Sequence, residues 1–217
     1  MIKRILILLV IAQLSMMSYS QTPKWAEKAK KAVFSVVTYD ENDKILNTGN
    51  GFFISEKGVA ISDYALFKNA QRAVISTSGR GTMPVKAILG ANDMYDVVKF
   101  SVDITSKKVA NLTLSETPMA EGTKLWLLPY STQKVRSLTS GNVNSVDKIS
   151  DYSYYTINLP LKEKMVSCPL MNDEGLVVAL AQKASGQDTA TICYGVDARF
   201  ANSQEITAIS YNDYALK

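Results

Sequence analysis

Histidine is absent from the 217 residues of the chain. It is the side chain that titrates near neutral pH, and proteins use it as a general base and as a metal ligand. Its absence excludes a histidine-dependent proton relay and every zinc site that requires an imidazole. We therefore expect neither a metal site nor a bound cofactor in this chain.

Cysteine occurs only twice, as Cys168 and Cys193. In an oxidising compartment the two could form a disulfide, which would contribute roughly 3 kcal/mol if it were unstrained. The alternative is a pair of buried thiols that pack as small hydrophobic side chains. The sequence leaves both interpretations open.

Long hydrophobic runs are also missing, except for ILILLVIAQLSMM near the start, which is too short to span a bilayer comfortably. This run follows two basic residues, Lys3 and Arg4, and ends in small residues. The arrangement predicts a signal peptide over residues 1–20, cut between Ser20 and Gln21. A retained membrane anchor is the alternative. We expect a secreted or periplasmic protein that has no membrane contact after cleavage.

Charge of one sign is not in large excess. Without Lys3 and Arg4, the 24 basic residues fall to 22, against 20 acidic residues, and they are scattered along the chain. Nucleic-acid-binding proteins concentrate basic residues in a patch or stripe, so we expect no nucleic-acid partner. The composition, 47% hydrophobic and 20% charged, is typical of a globular protein.

Two short helices are predicted near the ends of the mature chain. Thr22 is a suitable N-cap and Pro23 is tolerated in a first helical turn, which predicts a helix over residues 21–33. A second short helix is predicted to begin near Ala198.

Between these helices the pattern changes to short β-rich runs bounded by turn residues, which favours antiparallel barrels or sandwiches. Six runs precede the breaker TPMAEG at residues 117–122, and six follow it. We predict a first β-barrel over residues 34–117, and a second β-barrel with the C-terminal segment over residues 118–217. The runs are FSVVTYD, ILNTGNGFFIS, VAISDYALF, RAVISTS, PVKAILGA and VVKFSVD, then KLWLLPYS, SLTSGNVNSV, YSYYTINLPL, VSCPLMN, LVVALAQK and ATICYGVD.

Several longer motifs occur in a fixed order between residues 49 and 199. They are GNGFFIS, VAISDYALFKNA, GANDMYDVVKFSVD, EGTKLWLLPYS, SLTSGNVNSV, KMVSCPLMNDEGLVVAL and YGVDAR. Together they resemble HtrA-type members of the trypsin-like serine protease superfamily, and in particular degenerate exported proteins of Bacteroidota, where helical repeats can follow such a domain. The resemblance implies the chymotrypsin fold, an all-β structure of two six-stranded antiparallel barrels with a cleft between them.

The catalytic positions implied by the resemblance are mostly lost. The family uses a serine nucleophile, a histidine that takes its proton and an aspartate that orients the histidine. The aligned motifs place Ala65 at the histidine position, Asp96 at the aspartate position and Val166 at the serine position. Only the aspartate is present, so we expect no catalytic residue.

Ser167 and Cys168 follow the lost nucleophile, at positions where the resemblance has two glycines. If this segment were an extended strand, Ser167 would point to the opposite face from residue 166. Ser167, with Lys164 as its base, and Cys168 are the alternative nucleophiles. Lys164 and Met165 replace the glycine and asparagine before the nucleophile, so an oxyanion site over residues 164–166 is expected to differ in shape.

The sequence thus predicts a catalytically inactive pseudoprotease whose cleft binds an extended peptide or protein partner. One alternative is an active serine-type endopeptidase with a site rearranged around Ser167 or Cys168. Another is a purely structural or assembly domain of a longer, repeat-containing protein. A cleft filled by Met165, Val166 and Phe67 would favour the structural domain, and an open cleft would favour peptide binding.

Overall fold

The computed structural model describes residues 22–105, 108–135, 138–149, 151–183 and 192–202. The predicted signal peptide lies outside these ranges. Among the described residues, no helix has both the length and the hydrophobicity needed to span a membrane.

The described chain begins with a short helix, α1 (Ala26–Ala29), which continues as one 3₁₀ turn over Lys30–Ala32. It is shorter than the predicted helix over residues 21–33. The β-branched, fully buried Val33 ends it by starting the first strand. Helices this short are not stable alone, and packing on the body of the protein stabilises this one. Trp25, just before α1, donates from Nε1 to the carbonyl oxygen of Asp173 at 3.0 Å.

The first barrel closes in the order β1-β2-β3-β6-β5-β4, with every neighbouring pair antiparallel. Phe34, Phe53 and Phe100 fill its interior, and the Phe34 and Phe53 rings meet edge to face with centroids 4.8 Å apart. Its strands are β1 (Val33–Tyr39), β2 (Ile45–Phe53), β3 (Val59–Ser62), β4 (Arg72–Thr77), β5 (Gly81–Asn92) and β6 (Val97–Val102).

The second barrel closes in the order β10-β11-β12-β9-β8-β7, again antiparallel throughout. Leu125, Tyr155 and Leu170 are among the side chains buried inside it. The two closed barrels confirm the predicted fold. The strands are β7 (Lys124–Leu127), β8 (Thr139–Ile149), β9 (Tyr152–Ile157), β10 (Pro169–Met171), β11 (Val177–Gln182) and β12 (Cys193–Asp197).

A third group of buried side chains joins the two barrels. Tyr95 of the first barrel packs on Phe200, with ring centroids 4.3 Å apart. Phe200 belongs to a 3₁₀ helix, Ala198–Asn202, which stands where the short C-terminal helix is predicted. Lys99 Nζ in β6 donates to the carbonyl oxygen of Ala201 in this helix at 3.0 Å. The interface therefore fixes the two barrels relative to each other.

Candidate functional site

Asp96 and Ala65 meet at the edge of the first barrel that faces the second. Asp96 ends the turn between β5 and β6 and has a left-handed backbone, with φ of 51°. Its Oδ1 accepts the backbone N–H of Ala65 at 2.6 Å, and its carbonyl oxygen accepts the N–H of Tyr64 at 3.3 Å. The structure thus brings together the two positions that the sequence motifs assign to the aspartate and the histidine.

Burial raises the pKa of Asp96, and its hydrogen bond from the Ala65 N–H partly opposes this effect. Ala65 itself is exposed, in a 3₁₀ turn over Tyr64–Leu66. Its methyl group neither accepts nor donates a proton, and the chain holds no histidine to replace it. The carboxylate that the motifs assign to the orienting aspartate is therefore present, and no basic side chain stands at position 65.

The loop before β10 is held by a side chain of the first barrel. Asn50 in β2 is buried, and its Nδ2 donates to the carbonyl oxygens of Lys164 at 3.0 Å and Val166 at 2.8 Å. Met165 and Val166 are partly buried and pack against the core of the second barrel, whereas Lys164 is exposed. An aliphatic side chain thus occupies the position that the sequence motifs assign to the nucleophile, and the amide of Asn50 holds the loop around it.

Ser167 does not lie on an extended strand, so the conformation from which its side-chain direction is predicted is wrong. Its φ is 63°, in the left-handed region that favours glycine, and β10 begins only at Pro169. Its N–H donates to the carbonyl oxygen of Ala181 at 2.9 Å, and the residue is completely buried. The left-handed backbone agrees with the glycine that the resemblance assigns to this position.

Asp63, at the end of β3, is a second carboxyl group beside the site, and the sequence analysis does not identify it. It is 4% exposed. Burial raises its pKa well above the ordinary value, the charge of Asp96 raises it further, and the Ser167 hydroxyl lowers it. Although Ser167 lies close enough to have this influence, neither Asp63 Oδ1 nor Ser167 Oγ has a hydrogen-bond partner among the described residues. Asp63 is therefore expected to be protonated over a wider pH range than an exposed aspartate.

A signal for Asp63 and Asn50 does exist in the motifs. The resemblance implies a neutral asparagine at position 63 and a serine at position 50, where this chain has Asp63 and Asn50. Both are departures from the family pattern at positions that turn out to be buried. Such departures can identify altered contacts, but they do not identify the partners.

Cys168 and Cys193 are free thiols, and both are buried. The disulfide considered from the sequence is therefore not formed, and the pair fits the alternative of two buried thiols. Cys168 precedes β10 and Cys193 begins β12, and β11 lies between these strands. Two strand spacings put the backbones roughly 9 Å apart, farther than a disulfide normally reaches. Burial raises the pKa of each thiol to about 12.

Gln182 connects the second barrel to the aspartate turn. This buried side chain at the end of β11 donates from Nε2 to the carbonyl oxygens of Tyr95 at 2.7 Å and Asp96 at 3.2 Å. The contact supports the left-handed backbone of Asp96, which a residue other than glycine adopts at a cost. The relative position of Asp96 and the loop over residues 164–166 is thus set by direct contacts between the barrels.

A groove of about 550 Å³ opens beside this loop, and residues of both barrels line it. Phe67 does not fill it, because that side chain is buried in the core of the first barrel. Among the described residues of the lining, Lys164 alone is charged. The lining residues are Ser35, Val36, Val37, Thr48, Gly49, Asn50, Tyr130 and Lys164.

One edge of β2 borders the groove. Within the described chain, β2 pairs with β3 only through Phe52 and Phe53, so its first half has no strand on that side. The carbonyl oxygen of Asn50 points to that side, because it accepts a hydrogen bond from Ser62 Oγ at 2.6 Å. Backbone groups two residues apart in a strand point the same way, so those of Thr48 are directed to the same edge.

Replacing Ser167 with glycine is expected to stabilise the protein by about 1 kcal/mol, because glycine adopts a positive φ without the steric cost that serine has there. Urea unfolding of the chain starting at Gln21 measures the effect. Ser167→Ala is the matched control, since it removes the hydroxyl but keeps the strained backbone. A glycine variant no more stable than the alanine variant would contradict a strained backbone at this position.

A comparison with protein families gives one match. The model of the trypsin-like peptidase domain matches residues 49–180, which is more than half of the chain. These residues include Ala65, Asp96 and Val166. No curated protein matches the chain.

Proposed function

The chain belongs to the trypsin-like peptidase family, and we propose that it is an exported pseudoprotease that binds an extended peptide or protein segment without cleaving it. One observation carries the proposal. The carboxylate of Asp96 is held by the N–H of Ala65 at 2.6 Å, at the place where it would orient a histidine, but the side chain there is a methyl group. The family's framework is retained, and its proton acceptor is missing.

The loss of two triad members supports inactivity. Removal of the histidine or the serine alone lowers the rate of such enzymes by several orders of magnitude. Here alanine replaces one and valine replaces the other. The Asn50 contacts to the carbonyl oxygens of Lys164 and Val166 also fix the loop in which an oxyanion site would form.

Burial argues against the alternative nucleophiles. Ser167 and Cys168 are both 0% exposed, so neither can reach the carbonyl carbon of a peptide bound at the surface. Burial raises the pKa of Cys168 to about 12, which leaves almost no reactive thiolate at neutral pH. Lys164 is exposed, whereas a lysine that serves as a base needs a desolvated site that lowers its pKa.

The groove and the edge of β2 support peptide binding. An extended peptide can pair with the backbone N–H and carbonyl of Thr48, as peptides do when they add a strand to an open sheet edge. Its side chains would then meet Tyr130, a residue type common at binding surfaces, and the positive charge of Lys164.

Two experiments on the chain starting at Gln21 test the proposal. A fluorophosphonate probe should label no residue, and casein should not be cleaved; labelling of Ser167 would contradict inactivity. Peptide display should enrich extended sequences. Thr48→Pro removes the backbone donor and should weaken the selected peptides about tenfold relative to Thr48→Ala, which keeps it. If no peptide is enriched, the alternative of a structural domain is favoured.

A further inference from the structure

The described lining of the groove beside β2 carries one positive charge. Lys164 supplies it, and none of the lining residues that the structure describes is acidic. Its side chain is exposed and forms no ion pair with any described residue. The carboxyl groups of Asp63 and Asp96 lie outside the lining, the first buried and the second bonded to the N–H of Ala65. The charge of Lys164 is therefore available to a bound ligand.

The backbone of Lys164 has a defined place along β2. Lys164 belongs to a single 3₁₀ turn, Glu163–Met165, and its carbonyl oxygen accepts Asn50 Nδ2 at 3.0 Å. Thr48, whose backbone groups face the open edge, precedes Asn50 by two residues, which is roughly 7 Å along a strand. Because a lysine carries its ammonium group on a flexible four-carbon stem, Lys164 can contact a peptide that lies along this edge.

The open edge of β2 also favours one direction for a bound peptide. The carbonyl oxygen of Asn50 is already engaged by Ser62 Oγ at 2.6 Å, so we expect pairing to begin at Thr48 and to run toward Ile45. Neighbouring strands of this barrel pair antiparallel, and antiparallel pairing is the more stable kind. An antiparallel peptide has its N-terminal part beside Lys164 and its C-terminal part beside Ile45.

Leu46 lies toward the other end of the same edge. Side chains alternate between the two faces of a strand, so Leu46 shares one face of β2 with Thr48 and Asn50. This leucine is 39% exposed. In antiparallel pairing, the peptide residue opposite Leu46 follows the residue opposite Thr48 by two positions, and side chains directly opposite each other are in contact. An aliphatic side chain there would shield Leu46 from water.

We propose that the groove selects an acidic segment. An aspartate or glutamate stands one or two positions before the peptide residue opposite Thr48, and an aliphatic residue stands two positions after it. The carboxylate pairs with the ammonium group of Lys164, and the aliphatic side chain covers Leu46. A basic side chain in the first place is repelled by Lys164. This inference rests on the proposed function, because it requires a peptide along β2, and it specifies what that peptide contains.

Peptide display on the chain starting at Gln21 tests the sequence preference. The natural chain should enrich peptides in which an acidic residue precedes an aliphatic one by three or four positions. Lys164→Gln should lose the preference for the acidic residue and keep the preference for the aliphatic one. Lys162→Gln is the matched control and should keep both preferences, because Lys162 is an exposed lysine two positions away and outside the groove lining.

The affinity of one selected peptide tests the ion pair directly. Lys164→Gln, or replacement of the acidic peptide residue by its amide, should each weaken binding about fivefold at low ionic strength, as expected for a partly exposed ion pair. The two changes together should weaken binding no more than either one, because both remove the same contact. Added salt should reduce the effect of each. Amidation of the peptide's C-terminus should leave affinity unchanged.

The outcomes separate this inference from the proposed function. Enriched peptides without the acidic residue, or effects of the two changes that multiply, would overturn the inference and leave peptide binding intact. A loss of affinity on amidation would also overturn it, because the terminal carboxylate would then be the group at Lys164. If no peptide is enriched at all, the proposed function is contradicted and the inference falls with it.

Discussion

Replacing Asp63 with asparagine is expected to stabilise the protein by about 1–3 kcal/mol at pH 8–9, the usual penalty for a buried polar group that lacks a partner. The natural carboxyl group is buried, its Oδ1 has no hydrogen-bond partner among the described residues, and the charge of Asp96 acts on it. Asparagine has nearly the same shape and carries no charge. Its amide can also donate to Ser167 Oγ, another buried atom without a hydrogen-bond partner among the described residues.

The effect must depend on pH with a definite sign. The pKa of Asp63 is higher in the folded state than in the unfolded chain, so the folded state holds its proton more tightly. The resulting stabilisation is complete below the unfolded pKa, and it is lost as the pH rises through the folded pKa. Urea unfolding of the natural chain between pH 5 and 9 should therefore show stability that falls with pH, and Asp63→Asn should reduce that slope.

Other groups besides Asp63 also contribute to the dependence of stability on pH. Burial also raises the pKa of Asp96, which stays in the variant, so part of the slope should persist. The thiols of Cys168 and Cys193 also add to the slope near pH 9, because their pKa is about 12 in the folded state and about 8.5 in the unfolded chain, and this contribution too stays in the variant. Asp103→Asn, at an exposed position, serves as the control and should leave the slope unchanged. Equal slopes in the natural chain and in Asp63→Asn would mean that Asp63 ionises freely.

The barrels are predictable because their determinants repeat along the chain. In β4 and β9, buried side chains alternate strictly with less buried ones, as the pleat of a half-exposed strand requires. β11 is buried at all six positions, so alternation does not identify it; its continuous apolar run and its place in the motif do. The N-terminal helix is predicted too long, because helix propensity does not register the buried β-strand that starts at Val33.

The site is less predictable, because its contacts join residues far apart in sequence. The motifs assign Ala65 and Asp96 to neighbouring positions, and the structure places the two residues in contact, in turns that follow β3 and precede β6. The amide of Asn50 and the carbonyl oxygen of Lys164 are separated by 114 positions, and no periodic pattern connects them. The extended conformation predicted for Ser167 is wrong for a local reason, because a left-handed backbone is uncommon for a serine and its side chain gives no signal for it.

Introducing a histidine at position 65 is expected to create the pair of histidine and aspartate that the trypsin-like peptidase family uses. In Ala65→His the imidazole would stand beside the carboxylate of Asp96, which already accepts the N–H of residue 65 at 2.6 Å. An opposite charge at this range favours the protonated imidazole and should raise its pKa by about 1–3 units above the ordinary value. Because the chain has no other histidine, NMR titration would follow a single imidazole. Adding Asp96→Asn should remove most of the increase.

A serine introduced at position 166 together with this histidine is expected to remain unreactive. In Ala65→His/Val166→Ser, the new hydroxyl would replace a side chain that packs against the core of the second barrel. Asn50 would still hold the carbonyl oxygens of residues 164 and 166. A serine in this loop lacks both a free approach to the imidazole and a glycine-shaped oxyanion site. We therefore expect no fluorophosphonate labelling of this double variant.

Releasing the loop separates two causes of the inactivity that we propose. Adding Asn50→Ser to the double variant replaces the amide with the serine of the family motif and removes both contacts to the loop. Labelling that appears in this triple variant, at position 166 and in no variant that keeps Asn50, would show that the amide is a second barrier beyond the missing triad. Labelling of the double variant would instead mean that loss of the histidine and serine alone accounts for inactivity, because a loop held by Asn50 would then not obstruct attack.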